Sequence, residues 1–106
     1  MGTEAQLSKG ILEGCVLRLL KDDFHFSGEI VAAMREAGFE FSEGTLYPML
    51  LRLEKDGCFL TAREPSPNGP PKKYYKLSKR GLERLEEFET AWKGMTKNVN
   101  NIFGRD

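Results

Sequence analysis

The sequence predicts a mainly α chain with a two-stranded β wing, and three observations carry that expectation. A capped helical stretch at residues 42–57 ends at a glycine. Two short β-prone runs follow it, separated by a loop rich in proline and glycine. A last stretch then carries apolar residues at alternating spacings of three and four. In this order they make a winged helix-turn-helix followed by a long C-terminal helix suited to dimerisation. The division falls at Leu77, with the winged unit at residues 1–77 and the terminal helix at 78–106.

The first helix is expected from about Ser8 to Lys21. Ile11, Leu12, Cys15, Val16, Leu19 and Leu20 form one broad apolar face, and Leu7, Gly10, Gly14 and Leu17 form another. Two faces imply two packing partners. A second helix, about Ser27 to Ala37, stops at Gly38 and turns Ile30, Val31 and Met34 inward. Phe39 and Phe41 in the connection read as core plugs rather than base-stacking groups, because isolated aromatics beside a core usually pack.

Ser42 stands where a hydroxyl accepts an orphan amide hydrogen, and Leu46, Leu50 and Leu53 follow at core spacing until Gly57 supplies the stop. The other face carries Gly44, Thr45, Pro48, Met49 and Arg52. Those groups are small, hydroxylated or basic, and a helix amino end favours anions through its unpaired amides and dipole. Pro48 removes one backbone donor inside this helix, so a bend is expected there.

Phe59, Leu60 and Thr61 open the first wing strand, a loop at Pro65–Pro71 interrupts it, and Tyr74, Tyr75 and Leu77 form the second strand. Arg63, Lys72, Lys73, Lys76, Lys79 and Arg80 face one acid, Glu64, in the stretch 63–80. With a formal net charge of +0 for the whole chain, basic character is local, which excludes a general polycation. Basic groups on a wing meet phosphates. The expected duplex contacts are Ser42, Thr45 and the amides near Gly44 on phosphate. Tyr47, Pro48, Met49 and Arg52 are expected toward the groove, and Lys72 and Lys73 on the flanking backbone. Arg52 either reads a base, with guanine the natural partner, or pairs with Glu54, Asp56 or another nearby acid. Tyr47 either faces the groove or packs half-buried with its hydroxyl alone on a phosphate.

From Ser78, an N-cap candidate, the terminal helix continues to about Phe103. Leu85, Phe88, Trp92, Met95, Val99 and Ile102 form a heptad seam, flanked by glutamates near the amino end and by Lys93 and Lys97 later. A second copy is the simplest partner. Trp92 is bulky for a tight two-helix seam and its indole N–H wants an acceptor, so it either packs as dimer core or borders a cavity.

A chain of 106 residues that is 40% hydrophobic sustains one small core and gains from self-association. No nucleophile with its base and no paired carboxylates can be assembled, so no enzyme is expected. Cys15, Cys58 and the single His25 lack metal spacing and read as two reduced thiols and an isolated imidazole, with no metal or cofactor. No apolar run approaches the about 20 residues of a bilayer span, and the amino end lacks a basic start, which points to the cytoplasm and no membrane partner.

Three runs carry a family likeness. Gly44-Thr45-Leu46-Tyr47-Pro48, then Leu53-Glu54-Lys55-Asp56-Gly57, then Gly69 through Ser78 with Gly81 closely resemble the PadR family of bacterial transcriptional regulators. Leu7 to Leu20 also looks like that family's first helix, and the single short terminal helix resembles the smaller subfamily that includes multidrug-binding repressors. One departure is Ser27, where many members carry tyrosine beside the glycine.

The resemblance implies a homodimer closed by the terminal helix packed with helix 1 of the partner, and repression from a pseudo-palindromic operator in double-stranded DNA. It also implies a pore at the dimer centre where a tryptophan stacks on a planar aromatic molecule. Trp92 matches by its distance after Lys73-Tyr74-Tyr75, with Phe88, Thr96, Gly10, Glu13 and Leu17 as walls and Glu13 as an attractor of cations. The rival reading is a winged-helix protein-interaction module without specific DNA binding, since Glu43, Glu54 and Asp56 make the third helix less basic than a strong DNA reader.

Overall fold

The expected first helix, about Ser8 to Lys21, is shorter than expected, and an unexpected helix precedes it. In the computed structural model, which describes residues 2–8 and 10–105, α1 spans Thr3–Ser8 and α2 spans Ile11–Leu19. Gly10 separates them at a φ of 90°, a left-handed conformation that glycine adopts without steric cost. The mostly polar run Thr3–Ser8 gave little helical periodicity to mark α1, and Lys9 lies outside the described residues.

Strand β1 (His25–Phe26) leads directly into α3 (Ser27–Glu36). That helix ends as the glycine predicts: Gly38 takes a φ of 110°, and the amides of Gly38 and Phe39 return to the carbonyls of Arg35 and Met34 at 2.9 and 3.1 Å. Helix α4 (Glu43–Lys55) runs unbroken in its assignment past Pro48, whose ring is exposed. Its core face is Leu46, Met49, Leu50 and Leu53. Met49, expected toward a groove, is only 8% exposed, because it lies next to Leu53 at the edge of the buried arc.

Strands β2 (Phe59–Ser66) and β3 (Gly69–Leu77) pair antiparallel, from Phe59 opposite Leu77 to Ser66 opposite Gly69. They reach further than expected, and the loop shrinks to Pro67 and Asn68. Pro65 sits in the register shift between Glu64 and Ser66, while Pro70 and Pro71 lie where β3 has only one neighbour; a strand tolerates proline at both kinds of place. The third strand was not expected. His25 and Phe26 pair with Tyr75 and Tyr74, giving the order β1-β3-β2, and two residues are too short to leave a periodic signal.

The core lies where α2, α3 and α4 meet the inner face of this sheet. Leu17, Leu20, Leu46 and Leu53 are wholly buried there. Cys58 is buried and Cys15 half-buried; both are free thiols, and burial pushes the Cys15 thiol up from its ordinary value.

Helix α5 (Lys79–Phe103) starts at Ser78, whose Oγ accepts from the Gly81 amide at 3.1 Å and donates to the Gly57 carbonyl at 2.6 Å. Gly81 presses on the Cys58 carbonyl, and a Cβ there would overlap it. Further along, the Phe88 ring lies on Gly14 of α2, again with no room for a Cβ. Beyond this point the helix leaves its own core. No helix among the described residues is long and apolar enough to cross a membrane.

Candidate nucleic-acid interface

The turn between α3 and α4 is fixed from inside. Phe41, only 5% exposed, plugs the corner, and Arg35 Nε donates to its carbonyl at 2.7 Å. Ser42 then caps α4: its Oγ accepts from the Thr45 amide at 3.3 Å and lies 3.3 Å from the Thr45 hydroxyl. The amides of Glu43 and Gly44 find no protein acceptor among the described residues. An exposed helix start with open amides is a place for an anion.

Opposite the buried arc, Gly44, Tyr47, Pro48 and Leu51 form one exposed stripe, with Tyr47 47% and Leu51 65% exposed. Leu51 is a residue the sequence reading missed. The helical wheel that puts 46, 50 and 53 inside puts 44, 48 and 51 outside, so the signal was there. Ser27 Oγ, at the first position of α3, lies 3.4 Å from Tyr47 Oη. Ser27 thus lies within reach of a hydroxyl on α4.

The wing leans against this face. Lys72 Nζ sits 4.3 Å from the centroid of the Phe26 ring, which meets Tyr74 edge-on at 5.6 Å. Lys73 behaves differently. Its Nζ donates to both oxygens of Glu54 at 2.8 and 2.9 Å, tying the wing to α4 and moving its charge off Arg63, its cross-strand partner. Phe26, Ser27, Tyr47, Pro71, Lys72 and Lys73 line a cleft of about 290 Å³ between wing and helix. It opens beside the exposed stripe of α4.

Arg52 takes the second of its two expected fates. Its Nη2 donates to Glu13 Oε1 at 2.6 Å, while Glu13 Oε2 lies 3.6 Å from Arg84 Nη2. Arg84 Nη1 donates in turn to Asp56 Oδ2 at 2.8 Å, and that bond raises the Arg84 pKa above its ordinary value. Glu13 therefore carries two arginines and offers no free charge to a cation. Leu17, expected on a pore wall, is wholly buried in the core of its own chain, because α2 turns that face toward the other helices. Thr96 donates to the carbonyls of Trp92 and Lys93, both at 3.0 Å, as a hydroxyl within its own helix does. Gly10 is exposed at the α1–α2 break, Phe88 is wedged on Gly14, and Trp92 is 45% exposed.

The model of the transcriptional regulator PadR-like family matches residues 16–87, which run from the last turn of α2 to the first third of α5. The chain belongs to the PadR-like family. It is accordingly a DNA-binding regulator of transcription and not an enzyme. Solved relatives agree along almost the whole chain. A Streptococcus transcriptional regulator is 42% identical with a TM-score of 0.80, covering 92% of this chain and 96% of its own. A PadR-like transcription factor from Bacteroides fragilis is 39% identical with a TM-score of 0.79, covering 93% and 96%. A PadR-like transcriptional regulator from Bacillus cereus is 36% identical with a TM-score of 0.84, covering 95% and 99%. An uncharacterised protein of Lysinibacillus sphaericus is 26% identical over 93% of both chains. Within the PadR-like frame, α3 and α4 are the helix-turn-helix and β2–β3 the wing.

Proposed function

We propose that this PadR-like chain is a homodimeric repressor of a pseudo-palindromic operator, working in the cytoplasm. The observation that carries the reading is the far half of α5, where Trp92, Met95, Val99, Ile102 and Phe103 are 45%, 64%, 49%, 56% and 83% exposed. A stripe of that kind on one helix face calls for a partner, and a second copy supplies one with matching periodicity. Residues 1–77 then form the DNA-binding unit and 78–106 the dimerisation helix. Two-fold pairing sets the recognition helices about 34 Å apart, one DNA turn.

On the duplex, the cap at Ser42 and Thr45 and the amides around Gly44 take a phosphate, while Tyr47, Pro48 and Leu51 enter the groove. Lys72 meets the flanking backbone. The protein-interaction rival loses ground because two of the three acids that argued for it are spent internally, Glu54 on Lys73 and Asp56 on Arg84, leaving Glu43 exposed at the helix start. Lys72→Ala is expected to flatten the salt dependence of operator binding by about 0.9 in the log–log slope, one phosphate contact. An unchanged slope removes Lys72 from the DNA surface.

A planar aromatic effector stacked on Trp92 at the dimer centre is the finer reading, supported by the half-exposed indole. The pairing of Glu13 and the burial of Leu17 favour plain packing of Trp92 instead. Selection of duplexes from genomic DNA, followed by titration of the winner with flat aromatic cations under Trp92 fluorescence, tests both. A site with half-sites one turn apart and quenching with changed DNA affinity supports the full proposal. Enrichment with silent fluorescence leaves a dimeric repressor, and no enrichment overturns the operator.

A further inference from the structure

Arg52 lies on the edge of the recognition helix with 55% of its side chain still exposed, yet its charge is directed away from the groove and onto α2. The carboxylate that holds it, Glu13, is the most sheltered member of the cluster at 21%. It belongs to a chain of four alternating charges from three helices: Arg52 and Asp56 from α4 and its end, Glu13 from α2 and Arg84 from α5. Glu13 has two oxygens and two claimants. One is bonded to Arg52 at 2.6 Å; the other faces Arg84 at 3.6 Å, too far for a hydrogen bond but close enough to share the charge.

We infer that Glu13 withholds Arg52 from DNA, so that the charge offered to an operator is set by a contact inside the protein. The inference rests on the DNA-binding reading of α4 and adds a positioning residue to it. A duplex that engages Arg52 must first break its bond to Glu13. What makes the exchange feasible is Arg84, which remains beside Glu13 when Arg52 leaves and keeps the half-buried carboxylate from standing unpaired. Because Arg84 belongs to α5, movement of that helix alters how firmly Glu13 holds Arg52. A shift that brings Arg84 into full hydrogen-bond range loosens Arg52, and one that withdraws it tightens the hold.

The test is a double-mutant cycle on full-length protein bound to an enriched operator duplex, with affinity and salt slope measured for each member. Glu13→Gln keeps the shape and removes the charge. It is expected to bind about three- to fivefold tighter, the fold-change that corresponds to breaking a partly exposed ion pair. Its salt slope should steepen by about 0.9, one added phosphate contact. In the Arg52→Ala background the same Glu13→Gln change should leave affinity and slope as they were. A gain that persists without Arg52 reports only the removal of a negative charge near DNA and overturns the inference. So does an unchanged or weakened Glu13→Gln complex when circular dichroism and thermal melting show it folded like the parent. Failure of the parent itself to bind any duplex counts instead against the DNA reading on which the inference stands.

Discussion

The two halves of α5 share one heptad pattern and have opposite fates. Leu85 in the first half is 2% exposed and packed into the chain's own core, while Ile102, further along the same seam, is 56% exposed. Between them the Phe88 ring lies against Gly14 of α2. Apolar periodicity therefore states that a face will be covered without stating by whom. The first half is covered by its own chain, and the second is exposed, the face on which the proposed dimer rests.

Substitutions along the seam separate the two fates. Leu85→Ala is expected to have the largest effect, lowering protomer stability by about 2–5 kcal/mol in urea unfolding, as truncation of a buried leucine does. A loss below about 1 kcal/mol would mean that the first half is not core. Ile102→Glu should act elsewhere, raising the dimer dissociation constant about 30-fold, equivalent to about 2 kcal/mol at a hot spot. Sedimentation against concentration measures it, and an unaltered dimer would place the interface off this seam. Gly14→Ala tests the boundary: the added methyl meets the Phe88 ring, and overpacking of that kind costs about 1–3 kcal/mol. Wild-type melting would show that the ring swings aside freely. The smallest effect is expected from Ser78→Ala, about 1 kcal/mol for a lost N-cap, read as a lowered melting temperature.

What was legible in the sequence was local. Ser42 and Ser78 were identifiable as caps because the residues they serve lie three positions away, and Gly38 and Gly57 as stops because only a positive φ lets the chain turn so sharply there. The PadR-like runs supplied the order of elements. Features that depend on distant partners were not legible. Arg52 meets Glu13 across 39 positions, and nothing in the spacing of either residue announces it. Lys73 and Lys72 are neighbours of the same type, yet one is tied to Glu54 and the other is stacked on Phe26, a difference set by which side of β3 each points to. Helix α1 was not legible because Thr3–Ser8 is mostly polar and carries only Ala5 and Leu7 as apolar residues. Met49 was placed outward by treating the helix as two faces rather than as an arc broad enough to include it.

The joint between α4 and α5 has a mechanical consequence. The carbonyls of Asp56, Gly57 and Cys58 accept from Arg80 Nε at 2.6 Å, Ser78 Oγ at 2.6 Å and the Ser78 amide at 2.9 Å. The exit of the recognition helix is thus riveted to the entry of the long helix, which makes α5 a lever arm about 37 Å long at 1.5 Å per residue. A tilt of about 5° at that fulcrum sweeps its far end through roughly 3 Å. Read in reverse, in the proposed dimer a shift of a few ångströms at the far end of α5 would be geared down to a slight rotation of α4.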